Sequence, residues 1–153
     1  MLSQKARYAL RALTSLAERY NTGPVLIETI SREKKIPLKF LENILLQLKQ
    51  AGLLESRRGR TGGYLLAHAP GKIPLAKVIR IIDGPIAMLP CVSLYFYEKC
   101  TDCDEQECGM NRVFAAARDA VLKVLERKTL KDLIAQGKNQ ETKNKKQTRP
   151  IEF

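Results

Sequence analysis

All four cysteines of this 153-residue chain lie within one eighteen-residue stretch, at Cys91, Cys100, Cys103 and Cys108. Their spacing is C-x8-C-x2-C-x4-C, which includes a C-x2-C pair. Thiolates at such spacing are common ligands of zinc or of an iron–sulfur cluster, either [2Fe–2S] or [4Fe–4S]. The spacing alone does not choose among these groups. The alternatives are a disulfide knot, a thiol redox switch and a surface loop without chemistry.

The N-terminal sequence bears on the redox state of these thiols. Lys5, Arg7, Arg11, Glu18 and Arg19 interrupt it, so it lacks the apolar region of an export signal. No apolar run of the chain is long enough to cross a bilayer. We therefore expect a cytoplasmic protein with no membrane partner, and structural disulfides are rare in the reducing cytoplasm. A metal or cluster site is favoured over a redox switch.

The charge of the chain is divided unevenly along its length. The formal net charge is +11, and residues 1–90 carry +9, residues 91–136 carry −1 and residues 137–153 carry +3. Such a basic segment predicts an anionic partner, most simply nucleic acid. The five carboxylates among the cysteines have two interpretations: a solvated loop at a helix N-terminus, or charges that lower a cluster's reduction potential.

Helical and β-type patterns predict the elements that position these residues. A helix with Ser3 as its N-cap is followed by a short helix, which ends before Pro37, and by a third helix. Two β-type runs, Leu53–Ser56 and Tyr64–Ala67, flank a turn rich in glycine and arginine and predict a hairpin. This order of elements is that of a winged helix-turn-helix.

After the hairpin the chain predicts a short helix in PLAKVIRIID, begun by Pro74, and then two further helices and a tail. Apolar residues from Val113 to Leu125 indicate a long amphipathic helix, and Thr129 with Asp132 has the spacing of a capping box. After Gly137 the polar composition predicts disorder. The predicted fold is mainly α with a small β-hairpin wing. Its parts are a DNA-binding domain at 1–84, a cysteine-rich loop at 85–110, the long helix and a short one at 111–136, and a basic disordered tail at 137–153.

The third helix carries residue types that read base edges in the major groove, where an α-helix fits. Lys39 can donate to guanine or phosphate, Glu42 can accept from cytosine, and Asn43 can pair with adenine through two hydrogen bonds. The alternative is that Lys39 and Glu42 only cover a solvated face. Phe40 can contact a thymine methyl group or pack inward, and inward packing is the commoner state of such a residue.

The predicted hairpin tip suits a DNA-binding wing. Arg57, Arg58 and Arg60 can bind phosphates or enter a narrow minor groove. Gly62 and Gly63 allow positive φ and a close approach of the backbone to phosphates. A plain solvated turn is the alternative, which the order of the elements and the basic charge disfavour.

No motif of the chain points to catalysis. It contains no P-loop and no dinucleotide-binding fingerprint, and its one histidine, His68, leaves no convincing Ser/His/Asp set. A hydrolytic zinc site needs an open position among histidine or carboxylate ligands, whereas this cluster is rich in thiols. We predict a DNA-binding protein that is not an enzyme.

Three stretches of the chain resemble the Rrf-two family of bacterial transcription regulators. They read KARYALRAL, IPLKFLENILLQLKQAGLLESRRGRTGGYLLA and TLKDL, and the resemblance covers about residues 1–135. It implies a homodimer of winged helices crossed by a long C-terminal dimerisation helix, here Arg112–Arg127. The operator in double-stranded DNA is then expected to be an inverted repeat. The DNA-contacting positions that the resemblance implies are Lys39, Phe40, Glu42, Asn43 and Arg58.

The same resemblance bears on the cysteines, because many members bind an iron–sulfur cluster through three cysteines placed before the long helix. Cys91 and Cys108 match the first and last of these, and Cys100 or Cys103 matches the middle one. One subgroup adds a histidine three residues after the last cysteine, where this chain has Asn111. Another uses a carboxylate from the first helix of the partner subunit, and residues 5–8 hold none.

Neither scheme for the fourth ligand transfers, so the simplest inference is an all-cysteine site. The resemblance thus implies a homodimeric, sequence-specific regulator that senses iron, redox state or nitric oxide through a cysteine-ligated cluster. The alternative is a cofactor-free or thiol-redox-controlled regulator of the same fold, with zinc or no metal at the cysteines.

Overall fold

The computed structural model describes residues 2–144, and of residues 139–144 it describes the backbone alone. Within this part the fold is mainly α with one two-stranded antiparallel hairpin, which confirms the predicted class. The elements are α1 (Gln4–Glu18), α2 (Ile27–Lys34), α3 (Leu38–Gln50), β1 (Leu54–Arg57), β2 (Gly63–Leu66), α4 (Leu75–Asp83), α5 (Gly109–Leu125) and α6 (Leu130–Asn144).

The core lies between the inner faces of α1, α3 and α4, with α2 and the start of α6 closing it. Ala9 and Ala12 of α1 are fully buried, and their small side chains let the neighbouring helices approach α1. Burial stabilises the folded state by about 1.5–3 kcal/mol for each large apolar side chain. The large fully buried apolar side chains are Leu13, Ile30, Ile36, Leu41, Ile44, Leu45, Leu48, Leu53, Ile73, Val78 and Leu130.

The start of α1 is fixed by a side-chain cap, as predicted. The Ser3 hydroxyl accepts the backbone N–H of Ala6 at 3.0 Å. The Ser3 backbone N–H donates to the Asp83 carboxylate at 2.9 Å, and the Ser3 hydroxyl donates to the same group. Because Asp83 ends α4, this contact ties the start of one core helix to the end of another.

The predicted capping box at the start of α6 is also confirmed. The Thr129 backbone N–H donates to the Asp132 carboxylate at 2.9 Å, and the Asp132 N–H donates to the Thr129 hydroxyl at 3.4 Å. The Thr129 hydroxyl also donates to this carboxylate at 2.9 Å, and the Thr129 backbone N–H, followed by this hydroxyl, lowers the pKa of Asp132 below its usual range. Asp therefore replaces the usual Glu or Gln of this motif without loss of the reciprocal contact.

The last helix is longer than the sequence pattern predicted. α6 passes through Gly137 and continues to Asn144, so this part of the expected disordered tail is helical. A glycine in a helix costs only about 1 kcal/mol relative to alanine, and the residues that follow it are mostly Lys, Gln and Glu, which form helices readily. Residues 145–153 of the predicted tail lie outside the described residues.

The segment between α4 and α5 has little regular structure. It contains one short 3₁₀ turn, Pro90–Val92, and otherwise follows an irregular path to the start of α5. Arg80 of α4 anchors it by stacking on the Tyr95 ring at 4.5 Å. The same arginine forms an ion pair of 2.7 Å with Glu126, at the end of α5. None of the described helices combines the length and apolar character needed to cross a membrane.

Candidate DNA interface and cysteine site

The outer face of α3 exposes the four predicted base-reading side chains: Lys39, Phe40, Glu42 and Asn43 are all exposed. The opposite face, which includes Leu41 and Ile44, is fully buried in the core. The commoner, inward-packed interpretation of Phe40 is wrong, because its side chain is 60% exposed. A helix held by its inner face therefore presents an amide, two charges and an aromatic ring to solvent.

The turn between α2 and α3 fixes the orientation of α3. Lys35 adopts a left-handed conformation, with φ of 52°, and ends α2. The Ile36 backbone N–H donates to the Ser31 carbonyl at 3.0 Å, and the Ser31 hydroxyl donates to the Ile36 carbonyl at 2.7 Å. Arg11 of α1 donates to the Lys34 carbonyl. These contacts satisfy the end of α2 and fix the direction in which α3 starts.

The hairpin places its arginines at the edge of the molecule. Its register pairs Leu54 with Leu66 and Arg57 with Gly63. Arg57, Arg58 and Arg60 are exposed, and among the side chains that the structure describes, those of residues 2–138, none forms an ion pair with these arginines. Their charge is therefore available to phosphates.

The two glycines of the wing have an intramolecular role that the sequence analysis missed. Gly63 has φ of 139°, and a side chain there would overlap the Val25 carbonyl. A side chain at Gly62 would overlap the Arg57 carbonyl. The close approach at Gly63 allows Tyr64 and Val25 to exchange two backbone hydrogen bonds of 2.8 and 2.9 Å. These bonds fix the base of the wing to the segment before α2.

The four cysteines line one cavity of about 230 Å³ beside the start of α5. Cys91, Cys100 and Cys108 are half-buried, Cys103 is exposed, and all four are free thiols. The Cys103 thiol donates to the Cys100 sulfur at a separation of 3.2 Å. Among the described residues, however, no three His, Cys, Asp or Glu side chains already converge as a metal-binding group. The predicted ligands are neighbours around a common space and are not yet arranged as a coordination shell.

Cys108 has the environment of a stabilised thiolate. It is the N-cap of α5, and its sulfur accepts the backbone N–H of Asn111 at 3.5 Å. This N–H and a hydrogen bond from Cys103 lower the pKa of Cys108. Hydrogen bonds to Cys100 and Cys108 raise the pKa of Cys103 to about 12. Cys108, at the N-terminus of α5, therefore loses its proton more readily than an ordinary cysteine, and Cys103 loses its proton less readily.

Asn111 contacts two of the thiols. Its side-chain amide donates to the Cys91 sulfur at 3.6 Å, in addition to the backbone contact with Cys108. The sequence analysis treated Asn111 only as a missing histidine ligand. Its position three residues after an N-cap cysteine could have indicated this role, because that is where an N-cap side chain meets a backbone N–H.

The acidic residues of the segment are not equivalent. Glu105 is half-buried, whereas Glu98, Asp102, Asp104 and Glu107 are exposed. Its carboxylate accepts the Tyr97 hydroxyl at 2.8 and 3.1 Å and the Cys100 backbone N–H at 2.9 Å. The Cys100 N–H and then the Tyr97 hydroxyl lower the pKa of Glu105. The hydrogen bond to Glu105 raises the pKa of Tyr97. The interpretation as exposed charges of a solvated loop therefore fits the other four carboxylates but does not fit Glu105.

α5 carries an apolar stripe that faces away from the core. Val113 is 65% exposed, Val121 is 40% exposed and Val124 is 55% exposed. With Ala117 these residues share one side of the helix at spacings of three and four, and we call this set the α5 stripe. Leu122, on the opposite side, is the one residue of α5 that is buried. Within the described chain, nothing buries the α5 stripe.

Comparison with known proteins gives consistent matches along most of the chain. Residues 2–136 match the Rrf2 family, which is described as iron-dependent transcriptional regulators. A protein of Rhodobacter capsulatus named as an rrf2-like HTH-type transcriptional regulator is 43% identical over 141 residues, which cover 90% of this chain and 94% of that protein.

Two solved structures share the fold. CymR (YrzC), the global cysteine regulator of B. subtilis, has a TM-score of 0.74 and 31% identity over 89% of this chain and 97% of its own. T. potens IscR has a TM-score of 0.72 and 26% identity over 90% of this chain and 88% of its own. The similar proteins are transcriptional regulators and not enzymes, which agrees with the prediction from the sequence.

Proposed function

We propose that this chain, which belongs to the Rrf2 family of transcriptional regulators, is a homodimer that binds an inverted-repeat operator in double-stranded DNA. We further propose that it senses iron, redox state or nitric oxide through a cysteine-ligated iron–sulfur cluster. In this proposal residues 1–84 bind DNA, residues 85–110 form the sensing loop, and α5 is the dimerisation helix. As a DNA-binding regulator it acts in the cytoplasm.

The outer face of α3 is the observation that supports DNA reading most strongly. Lys39, Phe40, Glu42 and Asn43 are exposed near the N-terminus of a helix whose other face is buried. Side chains at that end of a recognition helix reach the base edges of the major groove. The exposed arginines of the wing can then bind the backbone or the adjacent minor groove.

The α5 stripe supports the homodimer. Three valines are exposed on one side of this seventeen-residue helix. Exposure of apolar surface to water raises the free energy of the protein, and burial of these valines against a partner would lower it. The same stripe on a second copy of α5 is the matching surface in a two-fold dimer. Two copies of α3 would then face two half-sites, which is why an inverted repeat is the expected operator.

The cysteine cavity fits a thiolate-ligated group. Four soft sulfur donors line a single space, and the backbone N–H of Asn111 at the start of α5 lowers the pKa of one of them, Cys108. Cys91, Cys100, Cys103 and Cys108 would hold the cluster, which would supply an iron centre that responds to electrons, oxygen or nitric oxide. The family description as iron-dependent regulators supports iron over zinc.

The sensing loop joins the winged domain to α5, so its order can affect DNA binding. Arg118 of α5 donates to the Val92 carbonyl, and Cys108 begins α5. A change in the path of residues 91–108 therefore displaces the start of the dimerisation helix. That helix sets the separation of the two copies of α3 in the proposed dimer.

The alternative is a regulator of the same fold that works without a cluster, through thiol oxidation, zinc or no cofactor. The 3.2 Å separation of the Cys100 and Cys103 sulfurs supports it, because a disulfide needs only a small further approach. The solved structure of CymR, described as a cysteine regulator, is also among the similar folds.

Metal and sulfide analysis separates these possibilities. The full chain is purified anaerobically, and iron, zinc and acid-labile sulfide are measured per chain together with the visible spectrum. The proposal expects iron and sulfide in comparable amounts, and each of the four Cys→Ser variants should lose them. A Gln106→Ser variant, which introduces the same side chain at an exposed position of the loop without removing a thiol, serves as the control. If the protein contained zinc without sulfide, or no metal at all, the result would favour a regulator of the same fold that works without a cluster.

A further inference from the structure

We infer that Glu105 and Tyr97 form a clip that positions Cys100 as a ligand in the sensing loop. This inference rests on the proposed cluster site and assigns it two residues that are not ligands. Tyr97 precedes Cys100 and Glu105 follows Cys103, so the clip closes the loop that contains the C-x2-C pair.

The contacts of Glu105 are unlike those of its acidic neighbours. Its carboxylate receives two donors from the preceding part of the loop, eight and five residues earlier: Tyr97 Oη at 2.8 and 3.1 Å and the Cys100 backbone N–H at 2.9 Å. Asp104 accepts only the N–H of Gln106, two residues away. Asp102 accepts only the hydroxyl of its neighbour Thr101. Among these carboxylates, Glu105 is the one that joins distant parts of the loop.

The energetic reason for such a clip is the entropy of the loop. Ordering each residue of an irregular segment costs about 1–2 kcal/mol of backbone entropy. The loop has no helix or strand between Ser93 and Cys108 to offset that cost. Hydrogen bonds to a carboxylate are about twice as strong as neutral ones, so the two donors at Glu105 offset part of it. The bonded N–H belongs to Cys100 itself, the residue whose sulfur is the proposed ligand. A restrained backbone at Cys100 restricts the direction in which its side chain leaves the backbone.

The clip leaves the cavity side of Cys100 open. The Cys100 sulfur lines the cavity with Cys91, Cys103 and Cys108, whereas Glu105 is not among the residues that line it. Glu105 therefore acts through the backbone of Cys100, and both Glu105 and Tyr97 are positioning residues. Loss of such outer contacts typically lowers metal affinity about 10–100-fold.

Two variants and two matched controls test the clip. Tyr97→Phe removes the hydroxyl and keeps the ring, and Glu105→Gln removes the charge and keeps the shape. Tyr95→Phe removes a neighbouring hydroxyl, and Glu107→Gln removes a neighbouring charge. Both control residues are exposed, and within the described residues neither control group makes a hydrogen bond to the loop backbone.

The first measurement is the rate at which anaerobic, iron-loaded full-length protein transfers iron to an excess of chelator, followed by visible absorbance. We expect Tyr97→Phe and Glu105→Gln each to accelerate iron release on the order of tenfold. The double variant should release iron more slowly than the product of the two single effects, because both remove the same device. Tyr95→Phe and Glu107→Gln should match the wild-type protein.

The second measurement is amide hydrogen exchange at Cys100 in metal-free protein, where the clip should still protect this N–H. Faster exchange in Glu105→Gln is expected. Wild-type rates of both iron release and exchange in the clip variants would overturn the clip while leaving cluster binding intact. A wild-type protein that takes up no iron and sulfide would overturn the proposed cluster itself, and with it the ligand role of Cys100.

Discussion

Asn111 donates two hydrogen bonds to sulfur from the first turn of α5. Its backbone N–H reaches Cys108 at 3.5 Å and its side-chain amide reaches Cys91 at 3.6 Å. Hydrogen bonds to the sulfurs of a cluster stabilise its more negative, reduced form and so raise the reduction potential. The backbone bond survives any substitution except proline, so the side-chain amide is the part that a variant can test.

Asn111→Ala should therefore lower the midpoint reduction potential of the iron-loaded protein, with the iron content unchanged. The measurement is a spectroscopic redox titration under anaerobic conditions. Asn43→Ala, which removes the same amide from the exposed face of α3, is the control and should leave the potential unchanged. An Asn111→Ala potential equal to or above the wild-type value would contradict this role.

Gly63 tests a different single-residue contact, the one that fixes the wing. Gly63→Ala places a methyl group against the Val25 carbonyl at φ of 139°, a region that residues with a side chain rarely adopt. We expect a loss of about 1–3 kcal/mol in the free energy of unfolding, measured by denaturant titration. Gly137→Ala, in the exposed part of α6, is the matched control and should be neutral or stabilising by about 1 kcal/mol. Equal stability of the two variants would show that the wing is not held at this point.

Single-residue roles were the part that the sequence predicted least. Composition and spacing identified all four thiols, because cysteine chemistry depends on residue type. The exposure of Phe40 could not be predicted, since a large ring is usually buried and only the packing of α3 decides otherwise. Glu105 and Asn111 could not be distinguished from similar neighbours, because their roles come from partners across an irregular loop.

At the scale of elements, the proposed function gives α3 and the wing different parts in DNA binding. Asn43 on α3 can make a base-specific bidentate contact, while Arg58 in the wing carries charge to the phosphates. The base contact depends on the DNA sequence, whereas the phosphate contact does not. The two elements therefore predict different losses when a side chain is removed.

Asn43→Ala should weaken binding to the operator by about 1–3 kcal/mol and leave binding to random DNA nearly unchanged. Arg58→Ala should weaken both and reduce the salt dependence of binding by about one counterion. Fluorescence anisotropy titrations at several salt concentrations measure these quantities, with Gln50→Ala at the far end of α3 as the control. If Asn43→Ala lost the same binding free energy on operator and on random DNA, Asn43 would not make a base-specific contact.

The elements themselves were largely predictable. Helical periodicity, proline and glycine positions and the two caps indicated α1 to α5 and the hairpin within a few residues of their observed ends. The end of α6 was not predictable, because a single glycine followed by charged helix formers is compatible with either a stop or a continuation. The pairing of Val25 with Tyr64 was also missed, since a two-residue bridge leaves no pattern in the sequence.

At the scale of the whole molecule, the proposed dimer makes one chain half of the functional unit, with the α5 stripe as the contact between the two halves. Val124→Glu places a charge on the α5 stripe, within the proposed interface, and should shift the protein from dimer to monomer in sedimentation experiments. Operator affinity should then fall by about 100-fold, because the second half-site is no longer linked to the first. Lys123→Glu, on a neighbouring solvent-facing side of α5, is the control and should remain dimeric.

A monomeric wild-type protein, or a Val124→Glu variant that stays dimeric, would contradict the assignment of α5 as the dimerisation helix. The second outcome would direct attention to the apolar groove of about 570 Å³ formed by Leu2, Ile79, Ile86, Met88 and Leu125. That groove adjoins the α5 stripe through Val121, so both surfaces could be tested with the same assay.

The central claim is that the cysteine loop controls DNA binding by the winged domain. Its most direct test is one titration of operator DNA, selected from a random pool, with anaerobic iron-loaded protein and with the same protein stripped of iron. The account predicts that the two forms differ at least about tenfold in affinity, or about 1.4 kcal/mol, or prefer different sites. Equal affinity and equal site preference of the two forms would contradict it.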